Sequence, residues 1–340
     1  PISIFKPTIK RRDMDAVLTS LVEDRLGPGA RSEDLVRLCS LYLEVSGGLA
    51  LREYRRAVDM ALDAIEVEDG QNVVISPLAP RMYYDALSAR GIAIRYADVE
   101  LTSACLSAKT VAKCLDQRTA ACIVDSPMGY VPDLASLVDM GIPVIEDVTT
   151  SIGSNCLGRK CGSFGRYTIL GLEESGMITA GGGAIVFSQT KRDLGVLRKH
   201  VDSLDKTYLL CDVNASLASA QLKAIEEFIT RRRDIAAIFT RALMKGKHRS
   251  LAQEGDSENV FYSFPVVLEG GVKEAMKYAR SKKVPTKEAF SETTAGMIDF
   301  ADVLCPNAQA LSMRCILFPL YPMLTKDQVE QIARVLSTLP

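Results

Sequence analysis

Short apolar segments alternate with helical patterns over much of the chain, and this alternation is the strongest constraint on its fold. Helical patterns cover residues 55–65, 83–90 and 107–115. The strand-like segments are short, almost fully apolar and bounded by turn residues: 72–76, 93–97, 120–125, 144–147, 167–172 and 183–187. Strands of this kind are buried on both faces, which indicates a mostly parallel sheet with helices on either side. The pattern therefore predicts an α/β fold with three layers.

Further elements flank this alternation. Helical patterns at 11–24 and 31–45 precede it, separated by the breaker Gly27-Pro28-Gly29. A long helical tract at 214–243 follows it. The last part contains strands at 260–268 and 315–320 and helices at 273–281 and 325–336, the last one capped by Thr325. We therefore expect a large domain over residues 1–230 and a small C-terminal α+β domain over residues 231–340.

Composition excludes several classes of protein. The chain has 340 residues, and 41 Lys and Arg against 42 Asp and Glu leave a net charge of −1. This balance gives no electrostatic reason to expect nucleic acid or an anionic membrane as a partner. The nine cysteines are scattered and odd in number, which favours reduced thiols and a cytoplasmic protein. No cysteine or histidine cluster has the spacing of a metal site, and no apolar segment approaches the roughly 20 residues that span a bilayer.

The middle of the chain carries the most specific motifs. Residues 144–154 read VIEDVTTSIGS, and GRKCGSFG follows at 158–165. The start reads IFKPTIKRRDMDAVLTSLVEDRLGPG, and later segments read QLKAIEEFITRRRDIAAIFTRAL and LFPLYPMLTKDQVEQIARVL. In this order the four segments resemble the DegT/StrS family of sugar-nucleotide aminotransferases over essentially the whole chain. The resemblance implies the aspartate-aminotransferase fold of pyridoxal phosphate (PLP) enzymes and a homodimer with its active sites at the interface.

The resemblance implies a cofactor site that this sequence matches at one position. Enzymes of the family hold PLP as a Schiff base on a lysine. Here Gly176 occupies that position, and the sequence from Cys161 to Thr190 contains no lysine at all. Asp147 matches the aspartate that pairs with the pyridinium nitrogen. The chain thus resembles a divergent member of the family that lacks the PLP lysine.

The other positions of the family's site carry different residues. The serine and the Gly-Thr pair that hold the phosphate correspond to Gly171 and to Tyr54-Arg55. The glutamine beside the ring corresponds to Thr150 and the stacking aromatic residue to Pro80. The partner-subunit asparagine that reaches the phosphate corresponds to Thr207. These departures predict that no cofactor is used, PLP being only the ancestral one, and that the chain is a pseudoenzyme.

Charged residues indicate what the altered cleft could bind. Arg52, Arg55 and Arg56 surround the start of a helix, where anions are favoured, and the turn Glu173-Glu174-Ser175 occupies the place where the family's loop faces the ring. A small polar or anionic ligand would suit such a cleft, although ordinary surface charges explain the pattern equally simply. Tyr83 and Tyr84 are interpreted as helix packing.

Three hypotheses follow for function. In the first, the chain neither binds PLP covalently nor transaminates, and acts as a binding, regulatory or scaffolding subunit with a sugar nucleotide or anion in the cleft. In the second, it is a PLP- or pyridoxamine phosphate (PMP)-dependent sugar aminotransferase or dehydratase with a relocated lysine, Lys160 being nearest in sequence. The third is unrelated chemistry that uses Glu173 or Asp147. Whether the chain is an enzyme stays open.

Overall fold

The computed structural model describes residues 1–202, 204–253 and 255–340, and its main feature is a seven-stranded sheet. The strand order is β1-β9-β8-β5-β4-β2-β3. The strands span these residues: β1 Gly47–Leu51, β2 Asn72–Ile75, β3 Ala93–Tyr96, β4 Thr119–Asp125, β5 Val144–Asp147, β8 Tyr167–Gly171 and β9 Ala184–Ser188. Strands β8, β5, β4, β2 and β3 are mutually parallel, whereas β9 runs antiparallel to both β8 and β1. The predicted mostly parallel sheet is confirmed.

Helices cover both faces of this sheet, as expected for strands whose central residues are buried on both sides. They span these residues: α1 Arg11–Val22, α2 Ala30–Leu43, α3 Tyr54–Ile65, α4 Arg81–Ala89, α5 Ala108–Ala112, α6 Leu134–Val138, α7 Lys191–Asp202 and α8 Asp212–Leu222. One apolar core contains residues of α2 and α8, and the core on the opposite face contains residues of α3, α4 and α7. A short hairpin of β6 Asn155–Cys156 and β7 Arg159–Lys160 lies outside the main sheet. Among the described residues, no helix has the length and apolar character needed to cross a membrane.

The C-terminal part forms its own three-stranded antiparallel sheet in the order β10-β12-β11. Its elements span these residues: α9 Ile225–Leu243, β10 Phe264–Val267, α10 Val272–Ser281, β11 Lys287–Glu288, α11 Pro306–Arg314, β12 Cys315–Phe318 and α12 Lys326–Ser337. A third apolar core joins α9 and α12 to this sheet. Thr325 caps α12 as predicted, with its hydroxyl accepting from the N–H of Gln328. The domain boundary at residue 230 stays a prediction, and it falls inside the continuous helix α9.

Two elements differ from the prediction for physical reasons. The single helix expected at 214–243 is two helices, because the chain turns at Lys223 and Ala224. Helix α8 packs against α1 and α2, whereas α9 packs against α12. The first turns of α9 still contribute Ile225 and Ile229 to the core of α8, and its later turns join the core of the C-terminal sheet. Strand β1 was not predicted, since two glycines begin it. A Cβ on Gly48 would lie 2.5 Å from the carbonyl oxygen of Val186, so glycine permits the close pairing of β1 with β9.

A buried carboxylate orders the loop that precedes β8. Glu146 on β5 is 1% exposed and accepts hydrogen bonds from the backbone N–H groups of Gly162, Phe164 and Gly165. Burial raises the pKa of the Glu146 carboxyl, and these hydrogen bonds oppose the rise because they stabilise the charged form. Because successive side chains of a strand point to opposite faces, Glu146 orders this loop on one face while Asp147 is directed to the other.

Substitution of Gly165 tests how tightly the loop before β8 packs against Glu146. A Cβ at this position would lie 2.8 Å from the carbonyl oxygen of Tyr167 and 2.9 Å from Cβ of Glu146. We expect Gly165→Ala to lower the free energy of unfolding by about 1–3 kcal/mol, because both neighbours are fixed. Gly195→Ala is the matched control, since its Cβ meets nothing within 4 Å and helix α7 gains up to about 1 kcal/mol. Urea unfolding measures both, and equal stabilities would contradict the tight packing.

Candidate functional site

The polar residues of the candidate site lie where the parallel strands end. From β2 the chain proceeds to β3 on one side and to β4, β5 and β8 on the other, so the direction of the strand order changes between β2 and β4. Open α/β sheets bind ligands at such a change, beyond the carboxyl ends of the strands. Asp125 ends β4 and Asp147 ends β5, and the two residues are paired in the parallel register. Two carboxylates therefore meet at this edge of the sheet.

The Asp147 carboxylate is 4% exposed and is held by three donors. The hydroxyl of Tyr83 donates to Oδ2 at 2.7 Å, and the hydroxyl of Tyr54 donates to the same oxygen. The backbone N–H of Thr149 donates to Oδ1 at 2.9 Å. A buried carboxylate needs donors of this kind, because an unpaired charge away from water is costly.

Both phenols act as donors because they keep their protons. Burial raises the pKa of Tyr54 and of Tyr83 well above the ordinary value, and the charge of Asp147 raises both further. Their oxygens lie 3.0 Å apart, and the two rings meet edge to face. The hydroxyl of Thr149 approaches the Tyr54 oxygen at 3.5 Å and accepts from the N–H of Gly171 at 2.8 Å. Asp147 thus anchors a buried hydrogen-bonded cluster.

Asp125 is the second acidic group of the cluster. It is 8% exposed, and its pKa is raised to about 7, first by burial and then by the charge of Asp147. A carboxyl with this pKa exchanges its proton near neutral pH, which is the property of a general acid or base. It is also the property of a buried acid that does no chemistry, so the raised pKa identifies a candidate rather than a role.

The position assigned to the family's lysine accepts only glycine in this conformation. Gly176 is buried in the turn after β8, and a Cβ there would lie 2.9 Å from the carbonyl oxygen of Ile178 and 3.2 Å from that of Glu173. Gly171 ends β8, and its added Cβ would lie 3.1 Å from the Thr149 side chain. The turn is therefore built around glycine, and a lysine at residue 176 would require it to move.

Two further predicted residues, Thr150 and Pro80, contact neighbouring backbone. Thr150 follows Asp147 closely, and its hydroxyl donates to the Ser126 carbonyl oxygen at 2.5 Å. Pro80 precedes α4 and forms an isolated antiparallel bridge with Thr293 of the C-terminal part. The N–H of Thr294 also donates to the Ala79 carbonyl oxygen at 2.9 Å. The C-terminal part thus contacts Pro80, and the correspondence of Pro80 to the family's stacking aromatic residue stays a prediction.

The three arginines predicted at the helix start each have a neighbour in this structure. Arg52 donates to Sγ of Cys211 at 2.7 Å, and Arg55 pairs with Asp59 at 3.2 Å. The guanidinium of Arg56 lies 4.3 Å from the centre of the Tyr208 ring. These contacts occupy the arginines on and beside α3, and their role in binding an anion stays a prediction.

The acidic turn and Thr207 lie nearer the surface. Glu173, Glu174 and Ser175 are exposed in the turn after β8, and partial burial raises the pKa of the Glu173 carboxyl. Thr207 lies in a 3₁₀ turn, where its N–H donates to Asp205 at 2.8 Å. Their roles as ligand contacts stay predictions.

Two lysines bear on the question of a relocated lysine. Lys160 lies on β7, 3.7 Å from the Glu226 carboxylate and above the Tyr42 ring, as expected for a residue of a surface turn. Lys6 lines the same small cavity as Gly176, together with Thr179, Gln221 and Arg232. No local sequence pattern points to Lys6, because it is distant from Gly176 in the chain. In the described part of the chain, no group of three His, Cys, Asp or Glu could hold a metal ion.

A large concave surface lies elsewhere. It is a groove of about 860 Å³ lined by α2, β1 and residues near Lys206 and Leu209, and neither Asp147 nor Tyr54 lines it. Volume alone therefore does not identify the site. Three residues of the cluster were not predicted as ligands of Asp147 or as site residues: Asp125, Thr149 and Tyr83, the last interpreted as packing. The position of Asp125 was available from the sequence, since two predicted parallel strands both end in aspartate.

Comparisons with known proteins agree with the fold. A sequence model of the DegT/DnrJ/EryC1/StrS aminotransferase family matches residues 7–337. GDP-perosamine synthase of Escherichia coli O157:H7 is 24% identical over 304 residues, which are 83% of this chain and 82% of the synthase. The aminotransferase TlmJ from Streptoalloteichus hindustanus has a TM-score of 0.92 at 21% identity, covering 99% of this chain and 98% of TlmJ. The PLP-form of Spr1654 from Streptococcus pneumoniae has a TM-score of 0.90 at 17% identity, covering 99% and 98%.

These comparisons correct one prediction and confirm another. The predicted α/β fold of PLP-dependent transferases is confirmed by the near-complete structural match. The prediction that no cofactor is used is wrong, because the matched family is one of PLP-dependent aminotransferases and one matched structure is a PLP-form. That prediction gave too much weight to individual substitutions in a chain that the family's sequence model matches over residues 7–337.

The structure fits the ring of PLP at one point and obstructs it at another. Asp147 is a buried carboxylate at the end of β5, suited to a protonated ring nitrogen. Its Oδ2, however, already accepts from Tyr54 and Tyr83. A pyridine ring therefore reaches this oxygen only after a phenol has moved away.

The cluster predicts a pH dependence of stability. An unfolded aspartate has a pKa of about 3.9, whereas that of Asp125 in the folded protein is about 7. Between these two pKa values, the folded state therefore holds a proton that the unfolded chain has lost. The contribution of this proton to the free energy of unfolding is full below about pH 4 and disappears as pH rises through about 7. The free energy of unfolding of the parent protein should therefore fall by on the order of 2–4 kcal/mol between pH 5 and 8, and we expect Asp125→Asn to abolish this decrease.

Urea unfolding at both pH values measures this difference. Asp69→Asn, in an exposed loop, is the matched control and should leave the pH dependence unchanged. If Asp125→Asn shows the same pH dependence as the parent protein, the carboxyl is not titrating as described.

Proposed function

Because the chain belongs to the DegT/DnrJ/EryC1/StrS aminotransferase family, we propose that it acts on a nucleotide-linked sugar as a PLP- or PMP-dependent aminotransferase or dehydratase. The observation that carries the proposal is the buried Asp147 at the carboxyl end of β5, within a chain that matches the family over residues 7–337. The name of a relative, GDP-perosamine synthase, supports a nucleotide-linked sugar as the substrate class.

Asp147 and Asp125 have distinct roles in this proposal. The cofactor, when bound, supplies an electron sink for the substrate carbon that carries nitrogen. The Asp147 carboxylate binds the ring nitrogen and keeps it protonated. Asp125 lies beside it with a pKa of about 7 and holds or releases a proton near neutral pH. The homodimer and the cytoplasmic location stay predictions.

A lysine from outside residues 161–190 is required for the family's covalent form. We propose Lys6 rather than Lys160. Lys6 is exposed and lines a small cavity that Gly176 also lines, although Asp147 and Tyr54 do not line it, so its side chain would have to move to reach the ring. Lys160 is paired with Glu226 on a hairpin. The long side chain of lysine and its readily shifted pKa suit such a role.

A second candidate function is a binding or regulatory subunit that retains the sugar-nucleotide site without turnover. The observation that favours it is that Asp147 is already satisfied by Tyr54, Tyr83 and Thr149. A protein that is required only to bind a sugar would tolerate such a closed cluster of hydrogen bonds. The turn built around glycine at residue 176 agrees with this interpretation.

Single-turnover chemistry separates the two candidates. Purified protein is incubated with PMP and a GDP-linked keto-sugar, and the products are identified by mass spectrometry. We expect an amino-sugar or a dehydrated sugar, formed on the order of 100-fold more slowly by Asp147→Asn, because the preorganised charge at the ring is lost. Binding of the GDP-sugar without any product would contradict the enzyme and support the binding subunit. Asp69→Asn controls for a general effect of removing a carboxylate.

Borohydride reduction of PLP-loaded protein, followed by peptide mapping, tests the choice of lysine. We expect one labelled peptide containing Lys6, and loss of that label in Lys6→Ala. Lys160→Ala should keep the label, since Lys160 is engaged on the hairpin. A label that disappears in Lys160→Ala and persists in Lys6→Ala would reverse the choice.

A further inference from the structure

The Tyr54 side chain lies in the place that a ring nitrogen must reach. It is 6% exposed, and its hydroxyl bonds to Oδ2 of Asp147. Its ring packs among the apolar residues between the sheet and α3, with its edge toward the Tyr83 ring at a centroid distance of 6.3 Å. An aromatic ring and a polar group on Asp147 are also what a bound pyridine would provide. The protein thus supplies its own occupant for this position.

We propose that Tyr54 is a displaceable internal occupant of the ring site, so that its side chain sets the affinity of the cleft for a pyridine cofactor. The inference rests on the proposed function, since it takes the cofactor to be of the PLP or PMP type. It goes beyond that function by naming a residue that binds no ligand in its present position and yet determines how tightly the ligand binds.

Tyr54 is better placed to move than Tyr83. It is the first residue of α3, so its backbone N–H donates to no carbonyl group of a preceding helical turn. Tyr83 is the third residue of α4 and is fully buried, whereas Tyr54 is 6% exposed. When Tyr54 leaves, Tyr83 and the N–H of Thr149 still hold Asp147. One bond to the carboxylate is thus available for exchange with a ring nitrogen, and two persist.

The bond that is exchanged determines the size of the effect. A hydrogen bond from the Tyr54 hydroxyl to the charged carboxylate stabilises the arrangement in which Tyr54 fills the site. Removing this hydroxyl and its ring should therefore raise the affinity of the protein for the pyridine ring by about 10-fold or more. A variant that keeps the ring and lacks the hydroxyl should show part of this gain, because the phenyl group still fills the space. Hydroxyl and ring are therefore separable by two substitutions.

The probe is PMP, whose amine cannot attach to a lysine, so its affinity reports only the ring site. Equilibrium dialysis with detection of PMP absorbance measures the dissociation constant. The variants are Tyr54→Ala and Tyr54→Phe. Tyr167→Phe is the matched control, because it also removes a buried hydroxyl from the same apolar core, one that bonds to the carbonyl oxygen of Ala64 rather than to Asp147. Circular dichroism and thermal unfolding establish which variants are folded.

We expect Tyr54→Ala to bind PMP at least about 10-fold more tightly than the parent, Tyr54→Phe to be intermediate, and Tyr167→Phe to lie within about threefold of the parent. Adding Asp147→Asn to Tyr54→Ala should abolish the gain. Should Tyr54→Ala be poorly folded, the comparison of Tyr54→Phe with Tyr167→Phe still decides the matter, because both variants keep an aromatic ring.

Failure of the inference is distinguishable from failure of the proposed function. Folded Tyr54 variants that bind PMP no more tightly than a parent that converts the GDP-linked keto-sugar would overturn the role of Tyr54 and leave the function standing. A gain that persists when Asp147→Asn is added would also overturn it, because the ring would then bind elsewhere. If neither the parent nor Tyr54→Ala binds PMP, both the inference and the proposed function fail.

Discussion

The buried carboxylate of Asp147 is the constraint on which the rest of the site depends. A charge at the carboxyl end of β5, away from water, must be met by donors, and the chain supplies two phenols and one backbone N–H. Because those phenols come from the first turns of α3 and α4, the carboxylate ties both helices to the end of the sheet. The same demand for donors makes Asp147 suited to a protonated ring nitrogen.

The residues around Asp147 form one connected arrangement. Tyr54 reaches the carboxylate, Gly171 donates to Thr149, and Gly176 permits a turn whose carbonyl groups leave no room for a side chain. In an enzyme, a cleft closed by its own side chains can be opened when a cofactor replaces one of them. In a subunit that only binds a sugar nucleotide, the same side chains can stay in place. Membership of the family favours the first interpretation, and the satisfied carboxylate favours the second.

The sequence predicted the sheet because its strands are apolar and short, and it placed Asp147 correctly at the end of β5. It did not predict strand β1, because glycines there serve close pairing with β9 rather than a turn. It also did not predict the break between α8 and α9, which has no glycine or proline and accompanies the change of packing partner from α1 and α2 to α12. Tyr83 was interpreted as packing because hydrogen bonds between residues 64 positions apart have no local pattern. Lys6 was not considered because only the fold brings it beside Gly176.

The most direct test of the account is a crystal structure of the protein with bound PMP. The account predicts a ring nitrogen within hydrogen-bonding distance of the Asp147 carboxylate, the Tyr54 side chain turned away, and Tyr83 still bonded to Asp147. It would be contradicted by PMP bound away from Asp147 while both tyrosines keep their bonds to its carboxylate.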